Sequence, residues 1–425
     1  AYVLDGTSRQ FEVEWDEEEN KIVLTTGQGY TAVGNELNKE IGSGARTAIQ
    51  TDSEVYLDGK AIFLTAYKID GNNYFKLRDL GANIDFGVDW NAGAKTIEIS
   101  SGKGYEPDGE PVIGMHTSVY DDETAQMLID SLPALSQQGV NLVIAEVGYD
   151  YQYTSHPELA AEYGLSFEYA RAIAEAAKET GIKLVPEFPC LGHQSWAEDT
   201  GALLTVYPEF DETPGKYPNN EGIYCRSWCP LNEEVNPIVF DLMDELMEAF
   251  QADAIHVGLD EVFIIGDEDC PRCHGKDPGD LFAKQVNDLY QHFVVEEGVG
   301  MYMWSDRLLD GEAVGDVYSE WDASYNGTYT AIDQIPKDIV MCDWHYDNLE
   351  AYPSINYFAD KGFSVLTASY NDTEAAENFI QATMEARKTN ANVQGHLYTT
   401  WEDIENKELP DWEPMIRTIE LLKEK

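Results

Sequence analysis

The sequence predicts an α/β protein: a closed (β/α)8 barrel of the TIM type behind a small N-terminal α+β domain. Three observations carry this. Beyond residue 110, eight apolar runs alternate with amphipathic stretches over about 310 residues, the rhythm of strand–helix units around a parallel sheet. Before residue 108, the chain contains an internal echo of itself built from short alternating strands. No glycine-rich nucleotide turn follows any of the runs, which argues against a doubly wound sheet. The reading is therefore a repeat domain over 1–108 and a barrel over 109–425.

The N-terminal echo is gapless. Phe11-Glu-Val13-Glu-Trp15 recurs as Phe86-Gly-Val88-Asp-Trp90, and Ile22-Val-Leu24 recurs as Ile97-Glu-Ile99. Each copy predicts two strands joined by a polar turn. Only the second copy is preceded by a further half-repeat, so the first is read as truncated, as expected of a processed or trimmed product starting at Ala1. The phrase Asn73-Tyr74-Phe75-Lys76-Leu77-Arg78-Asp79-Leu80 resembles the stalk domain of surface and secreted bacterial proteins, which is similar to the N-terminal domain of copper amine oxidases. That resemblance implies an extracellular spacer, surface or cell-wall association, and no copper chemistry. A hinge is expected at Glu106-Pro107-Asp108-Gly109-Glu110-Pro111, where turn formers cluster.

The barrel strands are expected at Val112–His116, Leu142–Glu146, Leu184–Phe188, Ala254–Gly258, Gly300–Trp304, Ile339–Trp344, Phe363–Thr367 and Gly395–Trp401. Strands buried on both faces read as continuous apolar runs of this kind. Helices are expected at Thr124–Ser136, Ser166–Thr180, Asn236–Phe250, Asp280–Glu296 and Thr373–Lys388, from their 3.6-residue periodicity.

Bulk composition narrows the partners. With 79 acidic and 27 basic residues the formal charge is −52. Phosphate contacts need clustered Lys and Arg, so nucleic acid and anionic membrane surfaces are excluded as natural partners. No apolar run reaches the roughly 18 residues of a membrane span, and a soluble globular protein is expected.

In such barrels the chemistry sits at the C-terminal ends of the strands. Those ends supply Glu146 with Tyr149 and Tyr151, then Glu187 and His193, then Asp260-Glu261. Further on come Trp304-Ser305-Asp306, the segment Asp343-Trp344-His345-Tyr346-Asp347, and Trp401-Glu402-Asp403. Carboxylates mixed with indoles suit a sugar: flat C–H faces stack on the rings while hydroxyls bond to the carboxylates. The sharpest element is His256-Val257-Gly258-Leu259-Asp260-Glu261, which sets two acidic groups side by side where a strand gives way to a loop. Glycosidic cleavage needs one acid to protonate the leaving oxygen and another group to manage positive charge at the sugar carbon.

Six cysteines stand at 190, 225, 229, 270, 273 and 342. The close pairs Cys225/Cys229 and Cys270/Cys273 have the spacing of a tetrahedral thiolate zinc site; two disulfides or free buried thiols are the rival readings. The two pairs fall in loops after neighbouring strands, where a structural zinc would pin the wall beside Glu261. Cys190 and Cys342 read as buried thiols.

The barrel residues resemble family 20 glycoside hydrolases, the β-N-acetylhexosaminidases. The pieces that carry this are Pro186-Glu187-x-Pro189-x-x-Gly192-His193, the His256–Glu261 segment, Trp304-Ser305-Asp306, the Trp344–Asp347 segment and Trp401-Glu402-Asp403. The resemblance implies retaining hydrolysis of β-linked N-acetylhexosaminides without a catalytic cofactor. The substrate's own acetamide oxygen attacks the anomeric carbon and forms an oxazolinium. Glu261 then corresponds to the general acid and base, and Asp260 to the residue that orients the acetamide. Tyr346 corresponds to its hydrogen-bond donor, and Trp304, Trp344 and Trp401 to the walls. His193 and His256 would support the acid or bond hydroxyls, and Asp306 joins the sugar-binding set. Two positions depart from the family pattern. Leu259 replaces a second glycine, and the first strand end reads Gly114-Met115-His116 without the arginine that binds outer hydroxyls. Hydroxyl recognition is thereby assigned to Glu146, His116 or Asp403, and N-acetylgalactosamine preference or release of a larger piece enters as an option. Two rival classes remain: a non-catalytic glycan-binding surface protein, and a conventional two-carboxylate glycosidase.

Overall fold

Eight of the apolar runs close on one another in a computed structural model of the chain. It describes residues 1–16, 19–32, 46–51, 53–62, 64, 66–69, 72–91, 95–102, 109–401 and 405–423. Most of the expected hinge, including Glu106, Pro107 and Asp108, lies outside the described residues.

The chain divides into two compact units. One comprises residues 1–110 with the segments 358–363 and 384–393, and the other comprises 111–357, 364–383 and 394–425.

In the N-terminal region, β1 (Phe11–Asp16), β2 (Lys21–Thr26), β4 (Glu54–Leu57) and β5 (Lys60–Ile62) make a four-stranded sheet in the order β1-β2-β4-β5. A second sheet joins β3 (Ile49–Gln50), β6 (Ala66–Ile69) and β7 (Asn72–Phe75). Helix α1 (Leu77–Ile84) follows, then the hairpin of β8 (Gly87–Asn91) and β9 (Thr96–Ser100). The echo is structural as well as textual. Val13 pairs with Leu24 and Trp15 with Ile22 in the first hairpin, and Val88 pairs with Ile99 and Trp90 with Ile97 in the second. Phe11 and Phe86 enter one apolar core with Leu4, Ile22, Leu24, Val55 and Ile84. The symmetry stops at Ile97, which is 60% exposed while its counterpart Ile22 is buried. The stalk-like phrase itself forms β7 and the start of α1.

The barrel strands are β10 (Val112–Ser118), β11 (Leu142–Glu146), β12 (Lys183–Cys190), β15 (Ala254–Gly258), β16 (Gly300–Trp304), β17 (Val340–Trp344), β18 (Ser364–Ser369) and β19 (Val393–Thr399). They close in that order, with β10 paired in parallel to both β11 and β19. A two-residue hairpin, β13 (Ser195–Trp196) with β14 (Asp199–Thr200), decorates the loop after β12.

The helices are α2 (Asp122–Gln138), α3 (Phe167–Thr180), α4 (Ala202–Val206), α5 (Val235–Phe250), α6 (Pro278–Tyr290), α7 (Ser354–Ala359), α8 (Thr373–Arg387) and α9 (Glu413–Thr418). Their starts follow from local chemistry. The Asp121 side chain accepts the Thr124 N–H at the head of α2, and Asp277 accepts from Gly279 and Asp280 ahead of Pro278 in α6. Helix α3 opens on Ser166 and stops at Gly181, whose φ of 76° ends the helix in the left-handed region. The helix expected to run from Asp280 to Glu296 instead changes pitch at Gln291, and residues 291–296 wind as a π-helix. The wider turn buries Phe293, stacks His292 on Phe240 at 4.3 Å and brings His292 within 2.8 Å of Asp244. Among the described residues no helix is long and apolar enough to cross a membrane.

Inside the barrel, alternate strand residues pack as one cluster that includes Leu142, Ile144, Val185, Trp304, Cys342, Leu366 and Leu397. This apolar plug forms the floor on which the strand ends stand.

Candidate active site

Strand β15 ends at Gly258, and the backbone must then turn sharply. Gly258 has φ 64°, and a Cβ there would sit 2.9 Å from the Pro189 Cα, so only glycine fits between β15 and β12. Leu259 has φ 74° and Glu261 φ 50°. A non-glycine residue in the left-handed region is unfavourable by about 1–2 kcal/mol. The buried Leu259 side chain offsets that, since full burial of a leucine contributes about 1.5–3 kcal/mol. His193 (φ 55°) and Trp401 (φ 46°) share this conformation. Such strain persists where surrounding structure over-determines it, and it clusters at functional sites. At Trp401 it also ends β19 two residues earlier than expected.

The turn brings Asp260 and Glu261 to one imidazole. His193 Nε2 lies 3.2 Å from Asp260 Oδ2 and 3.2 Å from Glu261 Oε2. Burial alone would lower the His193 pKa, but the two carboxylates outweigh it and raise it well above the ordinary value. Burial, reinforced by the nearby Glu261 carboxylate, pushes the Tyr224 hydroxyl well above its ordinary value. The Glu261 backbone N–H donates to Asp306 Oδ2 at 2.9 Å.

Asp306 links this turn to a second loop. It accepts the Arg307 Nε–H at 2.6 Å and the Trp344 Nε1–H at 3.3 Å. Burial, reinforced by Asp260 and opposed by Arg307, pushes its carboxyl up to about 6. Arg307, itself buried, donates to the carbonyls of Glu320, Trp321 and Ala323. A chain of hydrogen bonds thus runs from the Glu261 backbone to the loop carrying Trp321.

Beneath the pair lies a second network around Glu187. Its carboxylate accepts the Trp304 Nε1–H at 2.8 Å and sits 2.9 Å from His116 Nε2 and 3.0 Å from His256 Nδ1. Burial alone would raise the Glu187 carboxyl; the two histidines outweigh it and hold it well below the usual range. The His116 pKa is lowered by burial and raised more strongly by Glu187. Removing one partner of a buried charged network strands the others. Glu187→Ala is therefore expected to lower stability by about 3–5 kcal/mol, read from the denaturant midpoint. The Glu187 part of the stabilisation is full at neutral pH and fades as pH falls below the ordinary glutamate value of 4.5 towards the depressed folded one. The His116 part is full below 6.5 and is lost as pH rises through its raised folded value.

Above these networks opens a cavity of about 730 Å³, within the range of small-molecule sites. Asp260, Glu261, His193, Trp304, Trp344 and Trp401 line it, with Glu146 and Tyr346. Trp344 packs on Tyr346 with centroids 5.0 Å apart, and the Trp401 Nε1–H donates to the Tyr346 hydroxyl at 3.0 Å. Glu146 accepts the Ser118 hydroxyl at 3.0 Å, and burial beside Glu187 pushes its carboxyl up to about 7.

Three of the expected sugar-binding residues do not face the cavity. His116 and His256 are fully buried, and their rings are spent on Glu187 and on packing against Trp304 at 5.4 and 4.7 Å. Asp306 is buried too, with its oxygens committed to Glu261, Arg307 and Trp344. All three support the site from behind: the histidines occupy inward positions below the strand ends, which belong to the barrel plug, and Asp306, just beyond β16, is turned to Arg307 and Trp344. Tyr151, read at a strand end, is likewise fully buried, whereas Tyr149 lines the cavity. Asp403 and Glu402 lie outside the described residues.

The expected four-cysteine set is also corrected. The sulfurs of Cys229, Cys270 and Cys273 gather with the carboxylate of Glu212, not with Cys225. Cys225 Sγ instead points at the Glu261 carbonyl, 3.6 Å away. Past Cys225 the chain bridges to Asp211 at Trp228, and the Cys229 N–H is bonded to the Phe210 carbonyl. All six cysteines are free and buried.

Several cavity residues escaped the sequence reading. Glu187 was visible in its motif but had no assigned role. Trp196 and Trp321, 60% and 42% exposed, line the cavity with Tyr224. Tyr224 packs edge-on to both, at 5.5 and 4.8 Å, and Phe263 lies 5.1 Å from Trp321. Trp196 stands on the two-residue β13 and the other rings on irregular loops, none long enough for a periodicity to mark them.

A closed eight-fold barrel, with an acidic pair on a strained strand-end turn inside an aromatic cavity, defines the class as a barrel glycoside hydrolase. The chain belongs to glycosyl hydrolase family 20: the description of that family's catalytic domain matches residues 114–412. It is similar to the beta-hexosaminidase subunit beta of Mus musculus, 30% identical over 130 residues, a stretch covering 28% of this chain and 22% of that protein. Its fold is similar to the Flavobacterium johnsoniae chitobiase at 18% identity and a TM-score of 0.52, covering 80% of this chain and 58% of that one. A β-N-acetylhexosaminidase from Bacteroides fragilis shares 17% identity with a TM-score of 0.51, covering 78% of this chain and 69% of that one. The chain thus spans well under two thirds of the first two relatives.

Proposed function

We propose that the protein hydrolyses β-linked N-acetylhexosaminides with retention, using the acetamide of its substrate as nucleophile. The observation that supports this most is the Asp260–Glu261 pair held at one imidazole inside an indole-walled cavity. In the first step the acetamide oxygen bonds to the anomeric carbon as the glycosidic C–O bond breaks, and the Glu261 proton goes to the leaving oxygen. The Asp260 carboxylate holds the acetamide N–H and stabilises the positive charge that develops there. The Tyr346 hydroxyl receives the Trp401 N–H and keeps its own proton for the acetamide oxygen. In the second step Glu261, now ionised, takes a proton from water, and the water oxygen opens the oxazolinium at the anomeric carbon.

His193, with its Nε2 3.2 Å from an oxygen of each side chain, orients both Asp260 and Glu261. With no arginine on β10, the outer hydroxyls of the sugar fall to Glu146 on this reading. The exposed Trp196 and Trp321 offer flat faces for the leaving-group side, which suits a substrate longer than one sugar. The proposal extends to a secreted or cell-surface setting with the N-terminal region as a stalk-type spacer; the resemblance of Asn73–Leu80 supports it.

A thiazoline mimic of the oxazolinium tests the mechanism. It should inhibit far more tightly than the free sugar, because it resembles what the site stabilises. Inhibition no better than that of the free sugar would favour a carboxylate nucleophile.

A further inference from the structure

We propose that Glu212, Cys229, Cys270 and Cys273 form a tetrahedral zinc site that clamps the loop after β12 to the loop after β15. The four residues come from two loops that meet away from the cavity. A short antiparallel bridge between Asp211 and Trp228 sets the first half. Its backbone bonds, Glu212 N–H to Ser227 O at 2.9 Å and Cys229 N–H to Phe210 O at 2.8 Å, fix where Glu212 and Cys229 stand. The second half is the turn Cys270-Pro271-Arg272-Cys273, in which the Cys273 N–H points at Cys270 Sγ at 3.5 Å.

The donor atoms converge. Cys229 and Cys270 sulfurs are 3.5 Å apart, Cys273 Sγ is 2.6 Å from Glu212 Oε1, and all four ligand atoms lie within 4.8 Å of one another. Zinc bonds of about 2.3 Å to sulfur and about 2.0–2.2 Å to oxygen put tetrahedral ligands about 3.5–3.8 Å apart, so small adjustments seat the ion.

Satisfaction points the same way. Glu212 is fully buried, and its Oε2 has no hydrogen-bond partner. A buried carboxylate needs a cation or a full set of donors. Lys216, in the same loop, is committed to Asp267 and Asp269 at 2.8 and 2.9 Å. The Asp267 N–H donates to Glu212 Oε1 at 3.1 Å, and a disulfide, using two of the three sulfurs, would leave Glu212 Oε2 and one thiol unmatched. A divalent zinc uses all four groups at once. Its role is mechanical: Cys229 follows Tyr224, which lines the cavity, and Cys225, whose Sγ lies 3.6 Å from the Glu261 carbonyl, so the clamp fixes the cavity wall without entering the chemistry.

The test is elemental analysis of the whole protein loaded with zinc and passed over a mild chelating resin. Wild type and Cys225→Ser should each retain one zinc per chain, and Cys270→Ser should retain none. Unreduced, denatured wild type should titrate six free thiols. Should Cys270→Ser fail to fold, cobalt-loaded wild type decides. A near-ultraviolet charge-transfer band with the intensity of three thiolates supports the site, and its absence overturns it. Wild type without stoichiometric zinc, zinc lost from Cys225→Ser, zinc kept by Cys270→Ser, or cysteines paired as disulfides would also overturn it.

Discussion

Glu261→Gln is expected to reduce turnover of β-N-acetylhexosaminides by about 10²–10⁴-fold, the usual contribution of a positioned general acid. The amide is isosteric and cannot deliver a proton to the leaving oxygen. Folding should survive, because the Glu261 backbone bond to Asp306 does not involve the side chain. The loss should be larger for a sugar leaving group than for nitrophenol, which needs less help to depart, and both should fall because Glu261 also takes the proton from water in the second step. Steady-state kinetics on both leaving groups, beside a thermal melt, check this. Equal losses would remove Glu261 from protonation of the leaving oxygen and leave it only the second-step proton transfer.

The second large effect is expected at Asp260. Asp260→Asn should lower kcat/KM by about 10²–10³-fold, since one preorganised electrostatic contact to the developing charge is removed. It should also weaken the thiazoline far more than the free sugar, because only the former carries that charge. The imidazole reports on the same change. His193 is raised against burial by its two carboxylates, so the variant should titrate it at lower pH, visible by nuclear magnetic resonance. The double variant should lose less than the product of the single losses, because the two residues act on one transition state.

Much of the barrel was legible because buried parallel strands are continuous apolar runs. The bounds Leu142–Glu146, Ala254–Gly258 and Gly300–Trp304 were read from the sequence as they stand in the structure. The carboxylates and indoles of the site were legible for a related reason: polar residues that end such runs mark the strand ends. Direction was harder. His116 and His256 lie on the strands themselves and face the plug, and nothing in a one-dimensional pattern separates a histidine that grips Glu187 from one that touches substrate. Asp306 follows its strand closely, yet its neighbours Arg307 and Trp344 claim its oxygens.

Residues set by long-range loop contacts were hidden altogether. Glu212 is one acidic residue among 79, and only its meeting with Cys229, Cys270 and Cys273 distinguishes it. Cys225 matched the spacing of a ligand pair, but its Sγ lies against the Glu261 carbonyl instead. Trp196 and Trp321 stand on loops whose shapes depend on Arg307 and on the β13–β14 hairpin, features with no local signature.

The most direct measurement is nitrophenol release from the β-N-acetylglucosaminide, the β-N-acetylgalactosaminide and the matching glucoside and galactoside, each with wild type and Glu261→Gln. The account predicts turnover of at least one acetamido glycoside, its loss in the variant, and no comparable turnover of sugars that lack the acetamide. Comparable turnover of the plain glycosides, or wild-type rates in Glu261→Gln, would contradict it.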